Sequence, residues 1–235
     1  MCVVVRETEQ SLAIEKANHA ELEEPMDAEA FVKDKIKWLG HASFRIDATS
    51  ATIYIDPWKL RNPVPADIVC VTHSHFDHLS EEDINLIKRA NTVIIGPADC
   101  RASFGDAFKV IEPGKVIAVG EVKIEAVPAY NTDKDFHPKK NNWVGYIIEV
   151  DGLRIYHTGD TDMIPEMSSI KADIALVPVG GTYTMTVSQA ADAVKKINPA
   201  VAVPMHCGDI VGTLDDRKRF QELHKGKVVI LDPQR

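Results

Sequence analysis

The chain reads Thr72-His73-Ser74-His75-Phe76-Asp77-His78-Leu79 at the end of an apolar run over residues 66–71, and this stretch decides the fold. Imidazole and carboxylate groups are the ligands that zinc prefers. Alternate residues of an extended segment point to the same side, so His73 and His75 can bind one ion. Beyond the turn, Asp77 and His78 face a second ion. Burying four such groups without a partner would cost several kcal/mol, so the motif predicts a pair of metal ions that acidify a shared water.

The motif resembles the His-x-His-x-Asp-His signature of the metallo-β-lactamase superfamily. Further matching segments follow in order at residues 38–44, 55–57, 156–162 and 204–206. The stretches Leu39-Gly40-His41-Ala42-Ser43 and Gly159-Asp160-Thr161-Asp162 are most similar to the subgroup of metal-dependent hydrolases related to ascorbate-6-phosphate lactonase. The resemblance covers about residues 35–235. It implies an α/β fold, the four-layer αββα sandwich, whereas the sequence pattern alone indicates only a layered mixture of helices and strands.

The resemblance also implies a dinuclear site with a full set of ligands. Asp160 would bridge the two ions because a carboxylate can offer one oxygen to each, with Asp162 as the local competitor. A histidine late in the chain, here His206, would complete the ligands of the second ion. The implied metal ligands are His73, His75, Asp77, His78, His137, Asp160 and His206.

The third ligand of the first ion departs from the family pattern. The family usually places a histidine soon after the strand that here ends at Pro128, but this chain has Asn131 there. An amide oxygen is a poorer zinc ligand than an imidazole. We therefore predict that His137 reaches the ion from the following loop, with Asn131 as a nearby hydrogen-bonding group. Asn131 as the ligand is the alternative.

Other residues around the ligands are expected to support the chemistry. Asp56 matches a family aspartate that lies behind the ligands, where it would orient an imidazole. Asp77 is the predicted catalytic carboxylate, which would orient the attacking water, a role that Asp160 could share. His41 is the second predicted catalytic residue, since the resemblance places its loop near the mouth of the site. There it could contact substrate or donate a proton, with a structural hydrogen bond as the alternative.

The implied function is that of a metal-dependent hydrolase, in which a metal-bridged hydroxide attacks a small ester, lactone, amide or phosphodiester. Two divalent metal ions are the predicted cofactors, with zinc favoured and manganese as the other candidate. A non-catalytic metal-binding protein on the same fold is the alternative function, for which Asn131 is the hint. A di-iron redox protein is disfavoured by His75, because members of that kind usually carry glutamate there and are joined to a flavin domain.

Composition restricts the classes of partner. The chain has 235 residues and a net charge of −8, which disfavours nucleic acid because phosphate backbones require a basic surface. No apolar run approaches the ~20 residues that span a membrane, and the four cysteines show no disulfide spacing. We therefore expect a cytoplasmic protein that acts on a small-molecule substrate. A homo-oligomer and the earlier removal of an export signal are both compatible with the sequence.

The character of the chain changes near residue 35. Residues 1–34 are acidic and helix-prone and predict a helical N-terminal extension, with helices over residues 7–24 and 28–33. Residues 35–235 predict the hydrolase domain, because short apolar and alternating runs there indicate strands, and strands alternate with helices in the last third.

Capping signals predict individual elements of this domain. Ser80 is expected to cap a helix that extends to about Ala90, and Thr186 to begin a helix that extends to about Ile197. Residues 228–231 are expected to form the last strand.

Overall fold

The structure is a computed structural model that describes residues 27–234, except for the side chains at positions 102, 103 and 106. The helix predicted over residues 7–24 lies outside the described residues. In the described part of the chain, the strands form two six-stranded sheets. In spatial order, the first sheet contains β1 (Ile36–Gly40), β2 (Ser43–Asp47), β3 (Thr52–Ile55), β4 (Ile68–Cys70), β5 (Val93–Gly96) and β6 (Phe108–Val110). The second contains β12 (Val201–Met205), β11 (Ile174–Pro178), β10 (Leu153–His157), β9 (Val144–Val150), β8 (Val122–Pro128) and β7 (Val116–Val119).

Helices cover the outer faces of both sheets. The α-helices are α1 (Ala28–Lys35), α2 (Glu81–Ile87), α3 (Val187–Ile197) and α4 (Asp216–Leu223). Short 3-10 helices lie at Ala98–Ser103, Gly105–Ala107, Lys139–Asn141 and Pro165–Ser169. The helices α3 and α4 contact each other and the strands β11 and β12, and α1 contacts β1.

The alternation of side chains along β4 shows how the layers pack. Ile68 and Cys70 belong to the main core, which includes residues of both sheets. Val69 and Val71 point to the opposite face and pack in a second cluster with Ile84 of α2. The molecule is therefore the four-layer αββα sandwich of the metallo-β-lactamase type, as the resemblance implied.

Local sequence explains where α3 begins and ends. The Thr186 hydroxyl accepts a hydrogen bond from the Gln189 backbone N–H, and the Gln189 side chain accepts one from the Thr186 N–H. This reciprocal pair is the predicted capping box. The helix ends at Asn198, which adopts a left-handed backbone conformation (φ 54°) that asparagine tolerates better than most residues.

Two elements are shorter than the sequence predicts. The helix α2 ends at Ile87, before the predicted end near Ala90, because Lys88 adopts an extended backbone conformation. Residues 228–231 do not form a regular strand. Val228 makes one isolated parallel bridge, and the chain then leaves the edge of the sheet. The sequence pattern also does not predict β6, a strand of three residues at the edge of the first sheet.

The described part of the predicted extension is packed against the domain. Phe31 and Val32 of α1 are completely buried in the main core, and Asp27 caps the helix by accepting a hydrogen bond from the Ala30 N–H (3.2 Å). None of the helices within residues 27–234 has the length and apolar character needed to cross a lipid bilayer.

The topology brings the ends of distant strands to one edge of the sandwich. The strands β3 and β4 are parallel, and their register pairs Ile53 with Ile68 and Ile55 with Cys70. The segments that follow the two strands therefore leave the sheet side by side. In the second sheet β10, β11 and β12 are also parallel. The segments after β1, β3, β4, β8, β10 and β12 carry the predicted site residues.

Candidate metal centre

Two neighbouring groups of ligand atoms lie where these strands end. Within each group, one ligand atom per residue lies within 4.8 Å of all the others. The first group consists of three imidazoles, from His73, His75 and His137. The second combines three imidazoles and a carboxylate, from His41, Asp77, His78 and His206. A third, overlapping group joins Asp160 to His73 and His78. The fold thus brings together all the residues predicted as metal ligands and adds His41 to them.

Asp160 lies between the two groups. Its Oδ2 atom is 2.9 Å from Nε2 of His206, 3.3 Å from Nε2 of His137 and 3.4 Å from Nε2 of His78. One carboxylate therefore reaches residues of both groups, as a bridging ligand must. Asp162 belongs to neither group, and its carboxylate instead accepts a hydrogen bond (2.8 Å) from a backbone N–H in the loop after β8.

Asp56 and Thr72 orient the imidazoles of His73 and His78 through contacts to their Nδ1 atoms. Asp56 accepts hydrogen bonds from the Thr72 backbone N–H (2.7 Å) and hydroxyl (2.6 Å). Its Oδ2 atom also lies 2.7 Å from His78 Nδ1. Because the Thr72 hydroxyl donates to Asp56, it is free to accept from His73 Nδ1, which lies 2.9 Å away. With Nδ1 engaged in both rings, Nε2 is the nitrogen left to face an ion.

His137 enters the first group from a loop, and Asn131 holds it there. Asn131 Oδ1 accepts a hydrogen bond from the His137 backbone N–H (2.9 Å) and lies 3.0 Å from His137 Nδ1. The Asn131 amide nitrogen donates to the Tyr183 carbonyl (3.0 Å), which connects this loop to the next one. The polar atoms of Asn131 are thus used for positioning, and the imidazole of His137 is the group that joins the cluster.

His41 lies behind Asp77, which corrects the expectation that its loop is at the mouth of the site. The His41 side chain is fully buried, and its Nε2 atom lies 2.9 Å from Asp77 Oδ2. The Trp58 ring packs against the His41 ring with centroids 5.3 Å apart, and the centroids of the His206 and His41 rings are 3.9 Å apart. The geometry therefore shows the structural hydrogen bond, and a catalytic role for His41 stays a prediction.

Three residues of the site adopt left-handed backbone conformations: His41 (φ 52°), Asp56 (φ 45°) and His206 (φ 56°). Such conformations cost non-glycine residues about 1–3 kcal/mol and persist only where the surroundings impose them. The His206 backbone N–H donates to the His41 carbonyl (2.8 Å). Gly180 packs so closely that a Cβ there would lie 2.2 Å from the His206 carbonyl oxygen. These contacts hold the turns that direct the side chains into the site.

Some residues that pack around the first group carry no signal in the sequence. The Trp143 ring centroid lies 4.9 Å from that of His73 and 4.8 Å from that of His75. Its indole N–H donates to Asp99 (2.8 Å), which also accepts from the Ser74 hydroxyl (2.7 Å). No sequence motif marks Asp99, because only the folded chain brings it beside the histidines.

The buried carboxylates of the site are held in the ionised form. Burial alone would raise the pKa of Asp77, but the hydrogen bond with His41 and the charge of His78 outweigh it and lower the pKa to about 2. Neighbouring imidazoles likewise overcome the effect of burial and hold the pKa of Asp160 well below its usual value. Burial alone would lower the pKa of His78, but Asp160 and Asp56 raise it well above its usual value. Within residues 27–234 the ion-pair partners of these carboxylates are histidines, so a bound cation would balance their charge.

Buried atoms without partners show that the site fits metal ions. Among the described residues, the following atoms of the site form no hydrogen bond: His41 Nδ1, His78 Nε2, His137 Nε2, His206 Nδ1 and Nε2, and Asp160 Oδ1. The three Nε2 atoms lie close to Asp160 Oδ2, but not at angles that form hydrogen bonds. Each unpaired buried polar group costs about 1–3 kcal/mol. Imidazole nitrogen and carboxylate oxygen are the donor types that zinc and related ions bind, so metal ions would satisfy His78 Nε2, His137 Nε2, Asp160 Oδ1 and one nitrogen of His206.

Replacing Asp56 with asparagine is expected to lower zinc affinity about 10–100-fold, the usual effect of removing a group that orients a ligand. Asparagine tolerates the left-handed backbone at this position, so the loss would come from the missing carboxylate oxygen that contacts His78. The measurement is a zinc titration in competition with a chromogenic chelator. Asp47→Asn is the control, because Asp47 pairs with Arg45 away from the site. An unchanged affinity in Asp56→Asn would contradict the orienting role.

Comparison with known proteins identifies the family. The profile of a family described as "Beta-lactamase superfamily domain" matches residues 35–206. The chain is also 35% identical over 222 residues to a UPF0173 metal-dependent hydrolase from Pyrococcus furiosus, an alignment that covers 85% of this chain and 96% of that protein. The chain belongs to the metallo-β-lactamase superfamily. Relatives in this superfamily that are named metal-dependent hydrolases support a hydrolase here too, whereas the lactonase-related subgroup stays a prediction.

Solved structures agree with this membership in the metallo-β-lactamase superfamily. A metal-dependent hydrolase from Parabacteroides distasonis has a TM-score of 0.76 and 35% identity, with 85% of this chain and 93% of that chain covered. A protein from Thermotoga maritima described as a zinc-dependent hydrolase of the superfamily has a TM-score of 0.60 and 26% identity, with 83% of this chain and 97% of that chain covered. The chain thus spans nearly the whole length of these relatives.

Proposed function

We propose that the protein is a dinuclear metal-dependent hydrolase, with zinc as the favoured ion, that acts on a small ester, lactone, amide or phosphodiester. The observation that carries the proposal is the pair of ligand groups with Asp160 between them. When bound, the two cations would supply a water acidified to near neutral pH and an electrophilic partner for a substrate oxygen.

Each ion has an assigned set of ligands in this proposal. The first ion would be held by three imidazoles, those of His73, His75 and His137. The second would be held by a carboxylate and two imidazoles, those of Asp77, His78 and His206. Asp160 would contribute to both. Nitrogen-rich ligand sets favour zinc over magnesium or calcium, which prefer oxygen ligands, and the relative from Thermotoga maritima is described as zinc-dependent. Manganese stays the other candidate.

The residues of the chain would position and activate the reactants. Asp77 lines the open pocket beside the ligand groups, and its low pKa keeps the carboxylate ionised at neutral pH. His41 holds Oδ2 of this carboxylate at 2.9 Å, so the orientation of the group is fixed. Asp77 can then accept a hydrogen bond from the attacking water and orient its lone pair towards the substrate. His41 would contribute by positioning Asp77.

The substrate in this proposal is a small molecule. The net charge of −8 disfavours a polyanionic nucleic acid, and the same composition is the ground for proposing a cytoplasmic location. The alternative of a non-catalytic metal-binding protein rested on Asn131 in the place of a histidine. The hydrogen bonds that Asn131 Oδ1 accepts from His137 give this asparagine a positioning role and remove that argument.

Metal analysis combined with an assay tests the proposal. We expect about two zinc or manganese ions per chain by plasma mass spectrometry and hydrolysis of at least one member of a panel of esters, lactones, amides and phosphodiesters. Removal of the ions with a chelator should abolish that activity, and readdition of zinc should restore it. Full activity of the stripped protein would refute metal-dependent chemistry. Two bound ions without any hydrolysis would favour the non-catalytic alternative.

A further inference from the structure

A pocket of about 210 Å³ opens directly beside the proposed metal ligands. Four of the side chains that line it belong to the metal centre: His75, Asp77, His137 and Asp160. The rest of the lining is three aromatic side chains and one aliphatic one: Phe76, Phe136, Tyr183 and Ile210. A substrate whose reacting group is at the metal centre must therefore place its adjacent part against this second set, which we call the apolar wall.

Two phenylalanines of the apolar wall are unusually exposed. Phe76 is 70% exposed and Phe136 is 47% exposed. Each is next in sequence to a proposed metal ligand, since Phe76 lies between His75 and Asp77 and Phe136 precedes His137. A single exposed apolar side chain requires no explanation, but several that line one pocket indicate a binding surface. Their positions indicate that the apolar part of a substrate would cover them.

The apolar wall is held in place by contacts to the metal centre. The rings of Phe136 and Tyr183 meet edge to face with centroids 4.6 Å apart. The Tyr183 carbonyl accepts the hydrogen bond from Asn131, the residue that positions His137. The Phe76 ring meets the Trp58 ring with centroids 6.2 Å apart. The wall is therefore formed before substrate binds, which reduces the entropic cost of recognition.

The pocket offers no cationic side chain to an anionic substrate arm. Among the described residues, neither lysine nor arginine lines it. Its charged groups are the carboxylates of Asp77 and Asp160, which the proposed metal ions would engage. Recognition of a phosphate or carboxylate arm usually requires Arg or Lys in bidentate or direct contact. A charged arm placed against the apolar wall would lose hydration without gaining a partner.

We propose that the substrate carries an uncharged, apolar arm of about the size of a phenyl ring next to the bond that is hydrolysed, and that Phe76 and Phe136 recognise it. This inference rests on the proposed hydrolase function and adds the substrate class: neutral aryl or aralkyl esters, lactones or amides. A phosphorylated arm is disfavoured by the same surface. The pocket volume of about 210 Å³ has room for an arm of this size.

The inference can be tested without an assay of turnover. The test uses hydroxamates, which share one metal-binding group and differ only in the arm attached to it. Calorimetric titration of the zinc-loaded protein would compare acetohydroxamate, phenylacetohydroxamate and the monohydroxamate of succinic acid. We expect the phenyl compound to bind at least about tenfold more tightly than acetohydroxamate, because the ring is buried against aromatic side chains. The anionic succinic compound should bind no more tightly than acetohydroxamate.

Variants locate the effect on the apolar wall. Phe136→Ala and Phe76→Ala should each reduce the preference for the phenyl compound at least about threefold while the affinity for acetohydroxamate stays within about twofold. Leu86→Ala is the matched control, because Leu86 is an exposed apolar residue of α2 that does not line the pocket. Equal affinities for the two neutral compounds, or tighter binding of the anionic one, would overturn the inference and leave the proposed function intact. Failure to retain either zinc or manganese would instead refute the proposed function.

Discussion

Replacing Asp160 with asparagine is expected to remove bound metal and to reduce hydrolysis at least about a thousandfold, a loss of about 4 kcal/mol of transition-state stabilisation. The Asp160 carboxylate is buried, and its Oδ2 atom lies 2.9–3.4 Å from imidazole nitrogens of both ligand groups. Asparagine has nearly the same shape but carries no negative charge, and its amide nitrogen would be directed at the same atoms. Metal content by plasma mass spectrometry and kcat/KM measure the two effects.

Asp162→Asn is the matched control for this experiment. Asp162 is two residues further along the same segment and equally buried, but its carboxylate contacts the loop after β8 through Thr132 and Lys134. The control should keep its metal content and activity within about tenfold, since it removes no proposed ligand. If Asp162→Asn lost metal and Asp160→Asn kept it, the assignment of the bridging carboxylate would be reversed.

Removal of metal is expected to lower the thermal unfolding midpoint by about 5–10 °C. An ion present at 100 times its Kd stabilises the folded state by about 2.7 kcal/mol, and each kcal/mol shifts the midpoint of a domain of this size by about 2–4 °C. The ligands extend from His73 to His206 in sequence, so the unfolded chain cannot hold an ion in this geometry. Calorimetry or circular dichroism of stripped and zinc-loaded protein measures the shift.

Two controls show whether the shift comes from the site. Magnesium should not restore the midpoint, because this ion prefers oxygen ligands in octahedral geometry. In His75→Ala, the difference between stripped and zinc-loaded protein should become smaller, because the first ion loses one of its imidazoles. Identical midpoints of stripped and zinc-loaded wild-type protein would show that the cluster does not bind metal at the folded site.

The sequence by itself determined the metal motif, the superfamily and most of the strands. Such features are local: the apolar run in residues 66–71 and the spacing of histidines in residues 73–78 are visible without knowledge of distant contacts. The capping box at Thr186 is likewise contained in four consecutive residues. Where the local signal was weak, as at β6 and at residues 228–231, the prediction failed because edge pairing depends on neighbouring strands.

Only the tertiary structure decided how distant residues share the site. It showed that Asn131 holds His137, that His41 lies behind Asp77 and not at the mouth of the site, and that the apolar wall lines the same pocket as four of the ligands. The physical reason is that a hydrogen bond or a ring contact depends on distances of a few ångströms between segments far apart in the chain. Residue types and local periodicity set which groups are available, whereas packing of the two sheets sets which of them meet.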